Sequence, residues 1–246
     1  MRTWLALLAG VSFCHAQTAE VFIAQGDALD AKHRNRDALP LYLEADKLSP
    51  NQADTLCRIA KQYSQIMEET ASVEEKKHLG PKALEAAERA KKLDPQNAGV
   101  RLTLAIVYGR IALTESNRKK VELSRLIKEE AEAAIRLNPR EDYAWHILGR
   151  WNYEMANVNP FLKTMGEAIY GRFPDASNEK AAECFQKAVA IAPRQVAHHV
   201  ELGRTYLVLG QKEKARTELE KALALPCTAK DDEETKQRAR LALRRL

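Results

Sequence analysis

One phrase of sequence recurs five times along the chain and constrains its fold more than any other feature. Each copy has Ala, or Ile in the third copy, then an apolar or aromatic residue and another Ala at helical spacing, and four copies close on a Pro. The copies are Ala38, Tyr42, Ala45 and Pro50; Ala83, Ala87, Ala90 and Pro95; Ile127, Ala131, Ala134 and Pro139; Ala181, Phe185, Ala188 and Pro193; and Ala215, Leu219 and Ala222, with Pro226 one residue early. Small residues let helices approach closely, and Pro ends each unit. The phrase predicts a stack of similar helical units.

This phrase is typical of the second helix of a tetratricopeptide repeat. The opening phrase of the first helix is matched by Trp145, Leu148 and Gly149 in the fourth unit, and by Leu202, Gly203 and Tyr206 in the fifth. We therefore predict an all-α, tetratricopeptide-like helical repeat solenoid of about five helix pairs, with lengthened middle repeats and a C-terminal capping helix. An unrelated helical bundle is the alternative, since Ala at this spacing also suits any close helix crossing.

The predicted repeats are unequal in length. They span 19–52, 53–97, 98–141, 142–195 and 196–229 of a single repeat domain over 17–246, and 231–246 is predicted as the capping helix. The second and third repeats exceed the usual length of about 34 residues through polar segments that prolong their helices. Within the second, Gly80 followed by Pro81 predicts a turn and the start of a new helix.

The fourth repeat carries an apolar insertion after Asn159 and Pro160. Its members, which fall on one helical stripe, are Phe161, Leu162, Met165, Ile169, Tyr170 and Phe173. Either this stripe packs on the repeat that carries it, or it forms an apolar lid or groove wall for a ligand.

The N-terminus predicts export. Arg2 precedes an apolar run from Trp4 to Phe13, and Ala16 is the small residue that cleavage requires. We expect a signal peptide over residues 1–16 and an exported, periplasmic or secreted domain with no stable transmembrane segment after cleavage. The alternatives are an uncleaved segment that anchors the chain to a membrane or targets it to an organelle, and lipidation at Cys14.

Motifs that carry catalysis are missing from the sequence. It has no Gly-rich phosphate loop with Lys, no HExxH, no nucleophile elbow and no Cys and His cluster at zinc spacing. Adjacent His198 and His199 diverge by about 100° on a helix, so they cannot readily share a metal, and we expect a surface or partly packed pair. The sequence therefore indicates a protein that is not an enzyme and that holds neither a cofactor nor a metal.

The net charge of the chain says little about its binding partners. A net charge of +5 is mild and spread through the helices, so it permits attraction to acidic partners but is equally explained by solubility. The basic residues near the C-terminus, Arg240, Arg244 and Arg245, are expected to form a solvated face. No nucleic-acid partner is predicted.

A repeat solenoid offers a concave surface lined by exposed positions of its first helices. We predict a ligand-binding groove from Leu102, Ile106, Tyr143, His146, Arg150, Tyr153, Val200, Arg204 and Leu207. This mixture suits a ligand with an anionic group and an apolar part, either an acidic peptide or a phospholipid, because Arg binds carboxylate or phosphate in fork geometry. A wet groove with no dedicated ligand is the alternative.

The stretch from Ala144 to Tyr153, AWHILGRWNY, resembles the regulator of microtubule dynamics family. So do Pro160 and the apolar insertion up to Phe173 and Pro174, the polar-lengthened second and third units, and the ending Ala222 to Pro226 with Thr228, Lys230, Asp231 and Asp232. The resemblance covers about Asn51 to the C-terminus, and it accounts for where the extra residues lie.

The resemblance implies an all-helical, non-enzymatic repeat domain. Eukaryotic members of the family are associated with microtubules and with mitochondrial or endoplasmic-reticulum membranes, and phospholipid binding is attributed to the family. The predicted export signal stands where the family implies a cytosol-facing membrane anchor. Export would place the domain away from any microtubule.

Three functions follow from the sequence as expectations. The favoured one is an interaction scaffold that captures an extended peptide or a partner helix in the concave groove. The second is a phospholipid-binding or lipid-transfer module, with Arg150 and Arg204 at the head group and the apolar insertion against the acyl chains. The third is an adaptor that binds through its convex face, with microtubules as the special case.

Overall fold

The structure, a computed structural model, describes residues 18–170 and 175–246, apart from the side chains of Phe161, Leu162, Met165, Ile169 and Tyr170. The described residues form twelve α-helices and no strand. In chain order these are α1 Ala19–Asp30, α2 Asn35–Leu48, α3 Ala53–Glu69, α4 Val73–Leu93, α5 Ala98–Ala112, α6 Asn117–Leu137, α7 Asp142–Ala156, α8 Pro160–Tyr170, α9 Asn178–Ile191, α10 Val196–Val208, α11 Lys212–Ala224 and α12 Asp232–Leu243.

The helices pack in pairs, and the pairs stack in chain order. In the described part of the chain the pairs are α1 with α2, α3 with α4, α5 with α6, α7 with α9 and α10 with α11, and each second helix also packs on the first helix of the next pair. The last helix, α12, packs on both α10 and α11. The predicted all-α repeat solenoid with a capping helix is therefore confirmed.

Within each pair of helices, the size of the residue on the first helix is matched to the size of its neighbour on the second. A Cβ atom added at Gly26 would lie 2.7 Å from the Tyr42 ring, and one at Gly149 would lie 2.8 Å from the Phe185 ring. At Gly203 it would lie 2.7 Å from Cγ of Leu219. In the second and third pairs, alanine stands at both positions, as Ala60 with Ala87 and Ala105 with Ala131, and all four are buried. A large residue on the second helix thus requires glycine on the first.

The lengthened helices are α4 and α6, of 21 residues each. Each is preceded by an N-cap serine whose side chain accepts a backbone N–H bond, Ser72 from Glu75 and Ser116 from Lys119. The predicted turn at Gly80 and Pro81 is wrong, because α4 runs unbroken through both residues. Gly80 lies close under α5, where a Cβ would be 3.2 Å from Cγ1 of Ile111. Glycine serves close packing at this point and not a turn.

Charged side chains join neighbouring pairs along the stack. Arg58 of α3 donates to Asp27 of α1 over 2.8 Å. Glu130 of α6, which is buried, accepts from Lys91 of α4 over 2.5 Å and from Arg101 of α5 over 3.1 Å. A buried carboxylate with two cationic partners fixes how the second and third pairs sit together.

A further ion pair joins regions that are distant along the chain. Nζ of Lys230, in the loop between α11 and α12, lies 2.6 Å from Oε1 of Glu69 at the end of α3. The adjacent Glu68 binds Arg110 of α5 over 2.6 Å, so the contact lies on the side of the first helices. We call the bond between Lys230 and Glu69 the closing contact. It connects the loop before the C-terminal cap to the end of α3 in the second pair.

Within the described ranges, no helix has both the length and the apolar character that crossing a membrane requires.

Candidate functional site

A cavity of about 430 Å³ lies between α5, α6 and α7. Its described lining residues come from all three helices: Ala105, Ile106, Gly109, Arg110, Ala112 and Leu113; Lys120, Ser124 and Ile127; and Tyr143, His146, Ile147, Arg150, Trp151, Glu154 and Met155. The space exists partly because α5 carries Gly109 here, where a Cβ would meet nothing within 4 Å. Apolar side chains make up most of the wall, and the volume falls within the range of about 300–1,000 Å³ that small-ligand pockets occupy.

Three cations and one carboxylate stand among the lining residues. Arg110 is held by Glu68 at 2.6 Å, whereas Arg150 and Glu154 are separated by 3.9 Å with both side chains more than half exposed. An exposed pair at this distance contributes little, so the Arg150 guanidinium is available to a ligand. Lys120 makes no ion pair with a residue of the described chain.

Aromatic rings form the end of the cavity nearest to the start of α7. Tyr143, which is 40 % exposed, stacks on the His146 ring with the centroids 5.1 Å apart and the planes at 13°. The Phe185 ring of α9 makes an edge contact with the His146 ring, with the ring centroids 5.5 Å apart and the planes at 67°. His146 itself is only 5 % exposed. The stacked and edge contacts hold its imidazole in one orientation.

A chain of hydrogen bonds leads from His146 into the protein. Nδ1 of His146 lies 3.0 Å from Nδ1 of His198 on α10, and Nε2 of His198 lies 2.8 Å from Oδ2 of Asp142. Burial lowers the pKa of His146 well below its ordinary value, and the nearby His198 and Arg150 lower it further. Burial also lowers the pKa of His198, although Asp142 opposes the shift. Both imidazoles are therefore neutral near neutral pH.

His199, the neighbour of His198, makes separate bonds. Its Nδ1 lies 2.6 Å from Oε2 of Glu218 and its Nε2 lies 2.9 Å from the Pro193 carbonyl oxygen. Burial acts to lower the pKa of His199, but the bonds to Glu218 and to the Pro193 carbonyl outweigh it and raise the pKa. The two histidines diverge as expected, yet both are buried, so the expectation of a surface or partly packed pair is wrong. The described residues include no cluster of metal-binding type.

Four residues of the predicted groove come together in the cavity, namely Ile106, Tyr143, His146 and Arg150. The other five do not line it. Arg204 stacks on the Tyr153 ring at 5.7 Å and binds Glu201 over 2.9 Å, while Leu207 packs in a neighbouring apolar cluster. Val200 is fully buried beside Leu219 and Ala239, and Leu102 is half-buried on α5. Of the predicted positions on α10, Val200 faces the cap, because α12 packs on that helix.

Helix α8 accounts for most of the apolar insertion. It begins four residues after α7 ends, and it packs on α6 of the preceding pair. The six insertion side chains, Phe161, Leu162, Met165, Ile169, Tyr170 and Phe173, lie outside the described residues. The prediction that they form a lid or groove wall therefore stays a prediction.

The sequence reasoning missed several lining residues. Arg110 lies one helical turn after Ile106, so the same helical count would have placed it in the site. Lys120 and Ser124 come from the lengthened start of α6, a second helix, whereas the prediction considered first helices alone. Trp151 lines the cavity while Lys128 of α6 lies 4.9 Å from its ring.

Comparison with known families identifies relatives that match most of the chain. The sequence model of the family described as Regulator of microtubule dynamics protein 1-3 matches residues 22–246. The chain is 30 % identical over 203 residues to Regulator of microtubule dynamics protein 3 of Xenopus laevis, covering 82 % of this chain and 44 % of that protein. It is 29 % identical over 194 residues to Regulator of microtubule dynamics protein 1 of Bos taurus, covering 78 % and 61 %. The chain thus spans about half the length of the curated relatives that it matches.

Solved structures agree on the fold. A thermophilic tetratricopeptide-repeat protein of Thermus thermophilus superposes with a TM-score of 0.66 at 21 % identity, over 92 % of this chain and 99 % of that one. The pilF protein of Pseudomonas aeruginosa superposes with a TM-score of 0.58 at 17 % identity, over 92 % and 90 %. Identities this low support the repeat fold alone.

The prediction of an exported, periplasmic or secreted domain is wrong. The relatives that match most of the chain, from Xenopus laevis, Homo sapiens and Bos taurus, are named as regulators of microtubule dynamics. Microtubules lie inside eukaryotic cells, so these relatives contradict export. Residues 1–17, on which the prediction of a signal peptide depended, lie outside the described residues. Phospholipid binding finds no support in these comparisons.

Proposed function

We propose that this chain, which belongs to the regulator of microtubule dynamics family, is a non-enzymatic helical-repeat scaffold that binds an extended segment of a partner protein in the cavity between α5, α6 and α7. The observation that carries the proposal is the cavity itself, which lies between the first helices α5 and α7 and the second helix α6. It combines apolar walls with the exposed guanidinium of Arg150. Family membership and the repeat fold support a scaffold of this kind.

The chemistry of the cavity favours a particular kind of segment. Ile106, Leu113 and Ile147 offer apolar surface to a side chain, and burying such a side chain is favourable by about 1.5–3 kcal/mol. Arg150 offers two parallel N–H donors to a carboxylate at the opening. A segment with an acidic residue next to a large apolar residue satisfies both requirements.

Selection of peptides on the full chain tests this proposal. A displayed peptide library should yield sequences with Asp or Glu beside Leu, Ile or Phe, and a synthetic copy should bind at least about tenfold more weakly to Arg150→Glu, since a charge-assisted hydrogen bond is lost and a repulsion gained. The matched control is Arg194→Glu, which reverses an exposed charge between α9 and α10. Unchanged affinity in Arg150→Glu with native circular dichroism would rule out the cavity as the binding site.

A microtubule-associated adaptor is the second candidate function. The names of the relatives favour it, and so does the net charge of +5, because a basic protein is attracted to an acidic polymer. Co-sedimentation of the full chain with stabilised microtubules at low salt tests it, and a chain that stays in the supernatant there contradicts it. Phospholipid binding remains a prediction that depends on the insertion side chains.

A further inference from the structure

Asp142, His198 and His146 form a series of hydrogen bonds, and the Asp142 carboxylate determines which ring nitrogens carry a hydrogen. A carboxylate only accepts hydrogen bonds, so Nε2 of His198, 2.8 Å from Asp142, carries a hydrogen. A neutral imidazole has one N–H, so Nδ1 of His198 is an acceptor. Nδ1 of His146, 3.0 Å away, must then donate to it. The hydrogen of His146 is thereby used on Nδ1, and its Nε2 is left with a free lone pair.

The contacts of the His146 ring determine where this lone pair points. Tyr143 covers one face, Phe185 meets the ring edge-on, and His198 binds Nδ1. Among the described residues no group bonds to Nε2, although His146 is only 5 % exposed and lines the cavity. The edge that carries Nε2 is what remains to reach the cavity. Nε2 is not one of the described side-chain atoms that are both fully buried and unpaired, so it keeps accessible surface, where a donor from a ligand can replace water.

The neighbouring cation completes the pattern. Arg150 follows His146 by one helical turn on α7 and lines the same cavity. The site thus offers one acceptor and, beside it, a strong donor. An amide has the complementary pair, an N–H donor and a carbonyl acceptor on one planar group.

We propose that Nε2 of His146 is a hydrogen-bond acceptor subsite that binds an amide N–H of the partner segment. Arg150 has five N–H donors and uses two of them on the carboxylate, so it can also donate to the adjoining carbonyl oxygen. The inference rests on the proposed function and names the group of the partner that the cavity recognises. Asp142 is a positioning residue, since it acts through His198 by fixing which nitrogen of His146 keeps its hydrogen.

The first test needs no ligand. In the full chain labelled with ¹⁵N-histidine, the ring nitrogens of His146 should report a protonated Nδ1 and an unprotonated Nε2 near neutral pH. Asp142→Asn replaces the acceptor by an amide that can also donate, so the two nitrogen signals of His146 should move towards each other. A hydrogen found on Nε2 of His146 in the unsubstituted chain overturns the proposal.

The second test uses a matched pair of small probes. Indole and benzofuran have nearly the same shape, but only indole has an N–H donor. Indole should bind about 2- to 10-fold more tightly, the ratio expected for one hydrogen bond, and it should shift the Nε2 signal of His146. In His146→Phe the preference should vanish, and His78→Phe serves as a control on another helix.

The outcomes separate this inference from the proposed function. Equal affinities for the two probes, including no detectable binding of either, overturn the acceptor subsite. A peptide whose binding depends on Arg150 while the probes show no preference leaves the proposed function standing. If indole is preferred but peptide binding does not depend on Arg150, the acceptor subsite stands and the proposed function is overturned. Where His146→Phe fails to fold, the nitrogen signals of the unsubstituted chain still decide.

Discussion

The adjacent residues His198 and His199 face different carboxylates, and they respond to pH in opposite directions. The pKa of His198 is lowered, mainly by burial, as is that of His146. Stability linked to these two residues is present above the ordinary histidine pKa of about 6.5 and is lost as the pH falls below it. The pKa of His199 is raised, because its bonds to Glu218 and the Pro193 carbonyl outweigh burial. Its contribution is complete below about pH 6.5 and is lost as the pH rises through the folded-state pKa.

We predict that His199→Gln lowers the free energy of unfolding by about 1.5–3 kcal/mol near pH 6, the value of a hydrogen bond to a charged group. The loss should shrink as the pH rises, because the charged form of His199 disappears from the reference chain. Urea unfolding of both chains at about pH 6 and about pH 9 measures the difference. A gap that widens with pH would contradict the assignment of a raised pKa.

Only part of the arrangement of these histidines could be predicted from the sequence. Their divergence on the helix follows from helical geometry alone. Their burial does not, because the partners Asp142 and Glu218 are 56 and 19 residues away in sequence. The cavity was predicted in part for the same reason: Ile106, Tyr143, His146 and Arg150 follow from the repeat phrase, whereas neighbours on other helices depend on how the pairs are stacked.

At the scale of helices, stability depends on the match between a glycine of the first helix and a large residue of the second. We predict that Gly203→Ala destabilises the chain by about 1–3 kcal/mol, the usual result of overpacking. The new Cβ would lie 2.7 Å from Cγ of Leu219 and 3.2 Å from the Ala215 carbonyl oxygen, so backbone as well as side chain must move.

The matched control is Gly109→Ala on α5, where a Cβ meets nothing within 4 Å. Alanine should raise the free energy of unfolding there by about 0.5–1 kcal/mol, since glycine inside a helix is unfavourable. Denaturant unfolding of the two variants against the parent chain compares them directly. Equal effects of the two substitutions would show that helix propensity, and not close packing, determines the change in the free energy of unfolding.

Most of the elements could be predicted from sequence, and the failure at Gly80 and Pro81 has a clear cause. The repeat phrase identifies every pair because its small residues serve the packing that the fold requires. Glycine followed by proline usually marks a break, but in α4 Gly80 lies under α5, where Ile111 requires a small residue, and Pro81 is exposed. The same residue types serve a turn in one place and a close approach in another, and only the neighbouring helix distinguishes them.

At the scale of the whole molecule, the closing contact between Lys230 and Glu69 is the feature that sequence could not supply. The curvature of a solenoid is the sum of small rotations at each pair, and no local pattern shows that the loop before α12 returns to α3. Glu69 also accepts from Asn35 over 2.5 Å, so the first turn of α2 meets the same carboxylate. Burial acts to raise the pKa of Glu69, but the bonds from Lys230 and Asn35 outweigh it and lower the pKa. The carboxylate is therefore charged near neutral pH and holds both partners.

We predict that Lys230→Glu loosens the loop between α11 and α12 without unfolding the stack. An ion pair that is partly exposed contributes up to about 1 kcal/mol, so amide exchange in residues 226–231 should speed up by at most about fivefold. The effect should fade at high salt, because screening weakens the pair in the parent chain as well.

Arg216→Glu on α11 is the control, since it reverses an exposed charge outside the closing contact. Hydrogen exchange followed by mass spectrometry compares the three chains. If Lys230→Glu and Arg216→Glu change exchange in residues 226–231 equally, the closing contact contributes nothing to the position of the loop.

The closing contact also depends on the number of repeats. In an open solenoid a unit can be added or removed, because each unit meets only its neighbours. Here Lys230 reaches Glu69 only with the third, fourth and fifth pairs between them. One unit more or fewer would turn and shift the cap relative to α3 and separate the two charges. The number of repeats therefore determines whether this ion pair can form, and duplication or loss of one repeat would break it.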